Sequence, residues 1–440
     1  MAGTAVEVPA STTGKRAKGV RIRWAFIALI VLACVINYLD RNALSIGNTT
    51  IAGELGFNTI EMGLLLSAFS WPYAIANLPA GYLVDKYGAK KLLAWAASAW
   101  SVVSALTAFV SSFPLFYAVR VALGITESPL FTSGLKVSER WFAKDERSLP
   151  ISVINTGSQI ANAIAPPLLT FLLLTMSWRG MFVVLGAVGL LVAVVWIRIY
   201  RDPTVQELIA IRGAEAAEAI EAAAPEEAEP VERASWFSLL RQPNTWFMVV
   251  GAFSLFYTVW VYLTWLPSYL QTDRGFSLTE MGWVASLPFL CGIFGVLTGG
   301  YVSTRLIARG VGTLRARKIP LVTGAVLAAA SVLPVAYVES TPLVVLLLCL
   351  GYYFAQVPIG LIWTLASDLA EKHQVSSLGS IQNFGGFVGA AAAPVVTGVI
   401  LDRTGGNFAL VFLVGGVMLV VGGASYGLFV KDRTGRSRAS

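Results

Sequence analysis

The chain has 440 residues, of which 56% are hydrophobic and 13% charged, with a mean hydropathy of +0.69 and a formal charge of +7. That balance excludes a water-soluble enzyme of this length. Cys34, Cys291 and Cys349 are dispersed in apolar stretches and His373 is the only histidine, so a disulfide framework, a metal site and a histidine proton relay are all unexpected.

Residues 1–22 are polar and read as a cytoplasmic tail. The apolar run after Arg23 is span-length and carries no small-residue cleavage site, so no signal peptide is expected. Apolar stretches follow at 23–46, 60–84, 90–110, 113–138, 147–173 and 178–200, and again at 244–271, 279–304, 317–337, 341–369, 374–401 and 406–430. Each is near the roughly 20 residues that cross about 30 Å of hydrocarbon as a helix. The fold class predicted is an all-α membrane protein of twelve transmembrane helices. Its organisation is an N-terminal six-helix bundle (23–200), an acidic linker (201–243), a C-terminal six-helix bundle (244–431) and a short cytoplasmic tail (432–440).

With twelve spans both termini share one side, and 27 of the 32 Lys and Arg fall on that side. Only Arg179, Arg274 and Arg403 fall on the other, while Arg41 and Arg120 lie inside spans. By the positive-inside rule the termini are cytoplasmic, and the basic charge is topological: a lipid bilayer is the partner, not nucleic acid. The linker sets Glu215, Glu218, Glu221, Glu226, Glu227, Glu229 and Glu232 among alanines, which suits a solvated spacer.

The two halves repeat one another. Gly56-Phe57-Asn58-Thr59-Ile60-Glu61-Met62-Gly63 returns as Gly275-Phe276-Ser277-Leu278-Thr279-Glu280-Met281-Gly282, and Asn155, Gly157, Ala165 and Pro166 return as Asn383, Gly385, Ala393 and Pro394. A six-helix unit duplicated in parallel orientation around a midplane site is a transporter architecture.

Three places carry chemistry. In span 1, Asn37-Tyr38-Leu39-Asp40-Arg41-Asn42 puts two ionisable residues inside a membrane helix, at about 2.5–3.5 kcal/mol each on insertion scales, so they must face a cavity or each other. The duplication maps them onto Val259 and Trp260 of span 7. In span 4, Arg120 and Glu127 lie seven residues apart, two turns along one face, with Gly124 and Pro129 nearby. Burial favours the protonated form of a carboxyl and a neighbouring arginine favours the ionised form, so alternating pairings among Asp40, Glu127, Arg41 and Arg120 could couple a proton to a substrate. Between spans 2 and 3, GYLVDKYGAKK supplies Gly81, Asp85, Lys86, Gly88, Lys90 and Lys91, a loop that can turn tightly and hold a charge contact in one state and release it in another. Its counterpart, GYVSTRLIARG, has Thr304 where Asp85 maps, so a gating charge pair is expected in the first half only.

The loop matches the signature of the major facilitator superfamily. Together with Tyr38-Leu39-Asp40-Arg41, the Arg120, Gly124, Glu127 and Pro129 set, and Glu139-Arg140-Trp141-Phe142 with Glu146-Arg147, the chain resembles the anion:cation symporter family from about residue 20 to 430. That family includes bacterial D-galactonate, glucarate and hexuronate transporters. The resemblance implies proton coupling through Asp40 and Glu127, with Arg120 interacting with that acidic pair. It implies a substrate carboxylate on Arg41 and further substrate contacts from Tyr38, Tyr73, Gln159, Trp363 and Asn383. Arg can fork a carboxylate, and Tyr, Gln and Asn can bond sugar hydroxyls. Tyr73 and Trp363 can equally be packing residues, and Asn383 can bond a neighbouring helix.

The reading reached is proton-coupled import of a small organic anion, a sugar acid above all, by a monomer of the bacterial inner membrane with no cofactor beyond the coupling proton. An aromatic carboxylate importer is the alternative, with Trp71, Tyr257, Trp260 and Trp265 available to stack on a ring. Two intramembrane arginines argue against a drug exporter. An enzyme lacks a nucleophile–base pair or metal cluster, and a nutrient receptor lacks a signalling domain.

Overall fold

In the computed structural model the described residues are 13–142, 146–204, 207, 236–369 and 375–431. Both termini, His373 and most of the 201–243 linker lie outside them, so the expectations placed there have no structural counterpart here.

The described backbone is helical. In chain order the helices are α1 (Thr13–Ile46), α2 (Asn48–Leu55), α3 (Thr59–Ser67), α4 (Ser70–Tyr87), α5 (Ala89–Thr107), α6 (Phe113–Glu127), α7 (Pro129–Trp141), α8 (Ser148–Ile199), α9 (Trp236–Leu240), α10 (Pro243–Thr272), α11 (Leu278–Val284), α12 (Ser286–Ala308), α13 (Thr313–Val332), α14 (Thr341–Leu369), α15 (Val375–Thr404) and α16 (Ala409–Ala424). Spans 2, 4 and 8 are each two helices in line, α3/α4, α6/α7 and α11/α12. Spans 5 and 6 are both within α8. Fifty-two residues at 1.5 Å each would reach about 78 Å, far beyond a bilayer, and the run breaks at Ser177 with φ 66° and ψ 169°. Twelve crossings result.

The breaks have local causes. Pro129 has no N–H to give and opens α7, while the Ser128 hydroxyl turns back to the Ile125 carbonyl at 2.9 Å. Glu127, the last residue of α6, therefore sits at a discontinuity. Gly124, one turn earlier, faces the backbone of span 2: a Cβ there would lie 2.5 Å from the Phe69 carbonyl. The duplicated GFxxxEMG string also has a local explanation. Asn58 with Glu61, and Ser277 with Glu280, close matching capping boxes, and Gly56 and Gly275 both take left-handed φ (71° and 69°) just ahead of them.

Within the halves α1 lies along α8, α10 along α15 and α12 along α14. Between the halves, α1 meets α10, α3 and α4 meet α15, and α8 meets α11 and α12. The contacts gather away from the basic side. Ser45 Oγ donates to the Thr264 carbonyl (2.8 Å), Thr49 Oγ1 to Gln271 Oε1 (2.8 Å) and Ser67 Oγ to the Ala391 carbonyl (2.7 Å). Gly63 lies so close to span 11 that a Cβ would stand 2.5 Å from the Pro394 carbonyl. This side of the molecule is closed.

On the same side Glu54 of α2 ties the chain reversal at Ser177. It accepts from Trp178 Nε1 at 2.6 Å and from the Arg179 guanidinium. The Trp178 bond, then the arginine, hold its carboxyl below the usual carboxylate range. A lowered folded-state value means a contribution that is fully present above the ordinary glutamate value of about 4.3 and is lost as pH falls from there through the lower folded-state value. Glu54→Gln is expected to lower the melting temperature at pH 7, with a gap to the wild type that narrows as pH falls below about 4.3 and closes once the lowered carboxyl is protonated. A gap that stays constant with pH would show that Glu54 acts without its charge.

Candidate functional site

Arg41 is the centre of the site. It lies about five turns into the membrane-spanning part of α1 (Ile22–Ile46), in the half of the span away from the basic side. Its Nε donates to Glu127 Oε2 at 2.8 Å, and the Glu127 side chain is fully buried. Three rings enclose the same guanidinium: Tyr38, Phe69 and Tyr73 at 4.5, 4.5 and 4.6 Å. Each cation–π contact contributes about 0.5–2 kcal/mol, more as water is excluded. Gly124 makes this cage possible, because it lets span 4 approach the backbone at Phe69 and Tyr73 and so brings Glu127 to span 1.

Asp40, the neighbour of Arg41 in sequence, faces the other way around the helix. It is fully buried and accepts from Ser104 Oγ of span 3 at 2.5 Å; its second oxygen has no protein partner among the described residues. Arg120, 2% exposed, lies with its guanidinium 5.8 Å from the Phe69 ring, and its Nε and Nη1 have no protein partner among the described residues. One arginine is therefore bonded to one carboxylate, and the other arginine and carboxylate stand close by without a bond to each other.

A small cavity of about 40 Å³ adjoins this cluster. It is lined on the first half by Tyr38, Arg41, Asn42, Arg120 and Asn162, and on the second by Trp260, Leu263 and Thr264. Small-molecule sites run to about 300 Å³ or more, so a substrate requires the halves to part further. Trp260 is the residue onto which the duplication maps Arg41. The same register position is thus a cation in one half and an indole in the other, and both face one cavity. Trp260 is held by Phe256, stacked at 5.9 Å, and by Phe387, edge-on at 5.9 Å; Phe387 in turn touches Tyr73 across the two halves at 5.2 Å.

Of the substrate residues implied by resemblance, the structure brings Arg41, Tyr38 and Tyr73 together. Gln159, Trp363 and Asn383 lie outside the cavity lining: Gln159 and Asn383 are half-buried, and Trp363 is 46% exposed. Of the four aromatics considered for ring stacking, Trp260 alone lines the cavity. Trp71 bonds Tyr117 at an exposed position, Trp265 bonds the Pro394 carbonyl, and Tyr257 is buried. Ser104, Asn42, Asn162 and the ring of Phe69 were not singled out from sequence. Serines and asparagines are common in membrane helices, and nothing local marks these.

In the loop after span 2, Asp85 pairs with Lys136 of span 4 at 2.9 Å, and Lys136 also reaches Glu139 at 3.1 Å. Gly88 makes the turn with φ 80°, the Lys90 carbonyl accepts from Trp196 Nε1 (3.1 Å), Lys86 lies against the Tyr82 and Tyr87 rings, and Lys91 is exposed. Gly81 faces open space, so no close helix approach depends on it in this conformation. The expectation of a charge pair in the first half only is corrected. Arg317 of span 9 pairs with Asp368 of span 10 at 3.0 Å and also donates to Ser303 Oγ (3.2 Å), one residue before Thr304. The acid of this pair comes from span 10 and not from the loop position that Thr304 occupies, so offset mapping of the loop could not find it. On either side of 143–145, Arg140 pairs with Asp202 (2.9 Å) and Glu146 with Arg23 (2.6 Å).

Comparison with known proteins agrees with this architecture. The model of the Major Facilitator Superfamily matches residues 30–394. The chain is 37% identical over 412 residues to an Escherichia coli (strain K12) protein named "Probable L-galactonate transporter", covering 94% of this chain and 90% of that one. It is 33% identical over 419 residues to the "Probable galactarate/D-glucarate transporter GarP" of the same strain (91% and 94% covered), and 32% identical over 415 residues to the "Hexuronate transporter" of Bacillus subtilis (strain 168) (93% and 95% covered). Among solved structures, a bacterial homologue of the human lysosomal transporter Spinster, inward-facing and unoccupied, superposes with a TM-score of 0.72 at 16% identity, covering 93% of this chain and 95% of that one. That likeness concerns the fold alone.

Glu127→Ala leaves Arg41 without its carboxylate and is expected to cost about 3 kcal/mol of unfolding free energy in detergent, the low end for a broken buried pair because Arg41 keeps an edge on the cavity. The same replacement made on Arg41→Ala is expected to cost far less. Equal costs in the two backgrounds would mean that the 2.8 Å contact contributes nothing.

Proposed function

We propose that this chain, which belongs to the Major Facilitator Superfamily, is a transporter of sugar acids that carries its substrate inward together with protons by alternating access. It is a membrane transporter and not an enzyme. The observation that carries the reading is Arg41, a guanidinium at a cavity between the two halves, held by one carboxylate and three ring faces. The names of the three relatives, all sugar-acid transporters, support the substrate class.

The geometry suggests the order of events. A substrate carboxylate that forks Arg41 competes with Glu127 for the same guanidinium. Glu127, released into an apolar surrounding, then favours its protonated form, so anion and proton are taken up together. Asp40, buried against Ser104 and within reach of the same charges, supplies a second proton site, and Arg120 is the cation nearest to both acids. An inward proton gradient gives the import direction. With both termini cytoplasmic, as the charge bias of the loops directs, the closed side is external and the conformation faces inward. The two halves of one chain supply both walls of the cavity, so a monomer in a bacterial inner membrane is sufficient.

A second reading, import of an aromatic carboxylate, draws on Trp260 alone. Proteoliposome uptake of D-galactonate, D-glucarate, D-glucuronate and phthalate, with and without an inward proton gradient, separates the two. Gradient-stimulated uptake of a sugar acid is expected; uptake of phthalate alone would replace this reading with the second. Arg41→Ala is expected to abolish binding. Asp40→Asn is expected to retain exchange but lose accumulation against a gradient, and normal accumulation by that variant would remove Asp40 from the coupling step.

A further inference from the structure

Two amides at the cavity are only partly used. Asn42 Nδ2 donates to the Tyr38 carbonyl at 2.7 Å and to Asn162 Oδ1 at 2.9 Å, which joins span 1 to span 5. Asn42 Oδ1 and Asn162 Nδ2 make no hydrogen bond among the described residues, and neither is among the polar atoms sealed from the surface. Both residues are buried, 6% and 4% exposed, and both line the cavity beside Arg41.

The shared bond fixes what the free atoms can do. It leaves an acceptor on one residue and a two-hydrogen donor on the other unused, which together are the complement of a hydroxyl, a group that donates once and accepts once or twice. A carboxylate, which only accepts, would satisfy the Asn162 amide and leave Asn42 Oδ1 bare. Arg41 and Arg120 already provide donors for an anion, so the amides add a different kind of recognition. From the second half, Trp260 and Leu263 offer an apolar surface, and the Trp260 ring is held by Phe256 and Phe387. An apolar wall facing the two amides is what the C–H face of a polyol chain requires when its hydroxyls turn toward the asparagines. For pinning two helices the one bond between Nδ2 and Oδ1 is enough, yet both residues also line the cavity and their remaining polar atoms are not sealed.

We propose that Asn42 and Asn162 form a hydroxyl-reading subsite, with Trp260 as its apolar wall, that selects a polyhydroxylated carboxylate over a bare or aromatic one. The proposal rests on the sugar-acid reading and specifies how that class is recognised. A site built to bond a hydroxyl discriminates against the analogue lacking it, because its own polar groups are then left unpaired.

The test uses the full-length protein in lipid nanodiscs, with whichever of D-galactonate and D-glucarate binds, and the single-deoxy derivatives of that acid. In the wild type, removal of one hydroxyl is expected to weaken binding about ten- to a hundred-fold. In Asn162→Ala and Asn42→Ala the parent acid should weaken by a similar factor, and the penalty for that deoxy derivative should disappear. Asn162→Ser, which keeps a smaller donor and acceptor, gives the same comparison if an alanine variant does not fold. A deoxy penalty that survives unchanged in the variants, or variants that weaken parent and derivatives alike, would reduce the pair to a structural bridge and overturn the proposal. So would equal binding of every deoxy derivative by the wild type, a result that needs no variant. Failure of both sugar acids to bind the wild type would remove the substrate class and the subsite together, whereas binding with an unmoved ratio would remove the subsite alone.

Discussion

A guanidinium inside a membrane helix has to be paid for, and the contacts of Arg41 show how. Desolvating an arginine and a carboxylate is costly, and the attraction between them offsets that cost only when geometry is good. Here a single 2.8 Å bond to Glu127 is reinforced by three aromatic faces at about 4.5 Å. Nη2 takes no protein partner among the described residues, and Arg41 lines the cavity. The rest of the site is arranged around that constraint: Gly124 allows the approach of span 4, the Pro129 break places Glu127 at a helix end, and the aromatic residues of span 2 cover what the carboxylate does not.

The duplication explains the shape of the molecule, and its violations explain the chemistry. Where the two halves agree, as in the paired capping boxes and left-handed glycines ahead of spans 2 and 8, the shared residues terminate and start helices. Where they differ, they serve the cavity. The charged dipeptide of span 1 becomes Val259-Trp260 in span 7, so a cation lines the cavity from one half and an indole from the other. Two identical arginine-bearing halves would have placed like charges across a narrow cavity, with nothing in the second half to neutralise them. The loop charges behave differently: both halves keep an ion pair at their basic ends, one through Asp85 and Lys136, the other through Asp368 and Arg317. Exposed pairs of this kind contribute little to stability, about 0–1 kcal/mol.

Much of this protein was legible in its sequence. The number of spans, their two-fold repetition, the sidedness of the basic residues and the presence of four ionisable groups inside helices all follow from composition and spacing, because a bilayer imposes its thickness and dielectric on every segment separately. The identity of Arg41, Tyr38 and Tyr73 as neighbours also followed, through the family resemblance. The tertiary structure decided which partner each buried group takes. Arg41 meets Glu127 across 86 residues, Asp40 meets Ser104 across 64 and Asn42 meets Asn162 across 120. Such pairings depend on how each helix is rotated and how closely it approaches its neighbour, which glycines and proline breaks set in three dimensions. Hydrophobic spacing reveals that a segment is buried in a membrane; it does not encode which face of it meets which other helix.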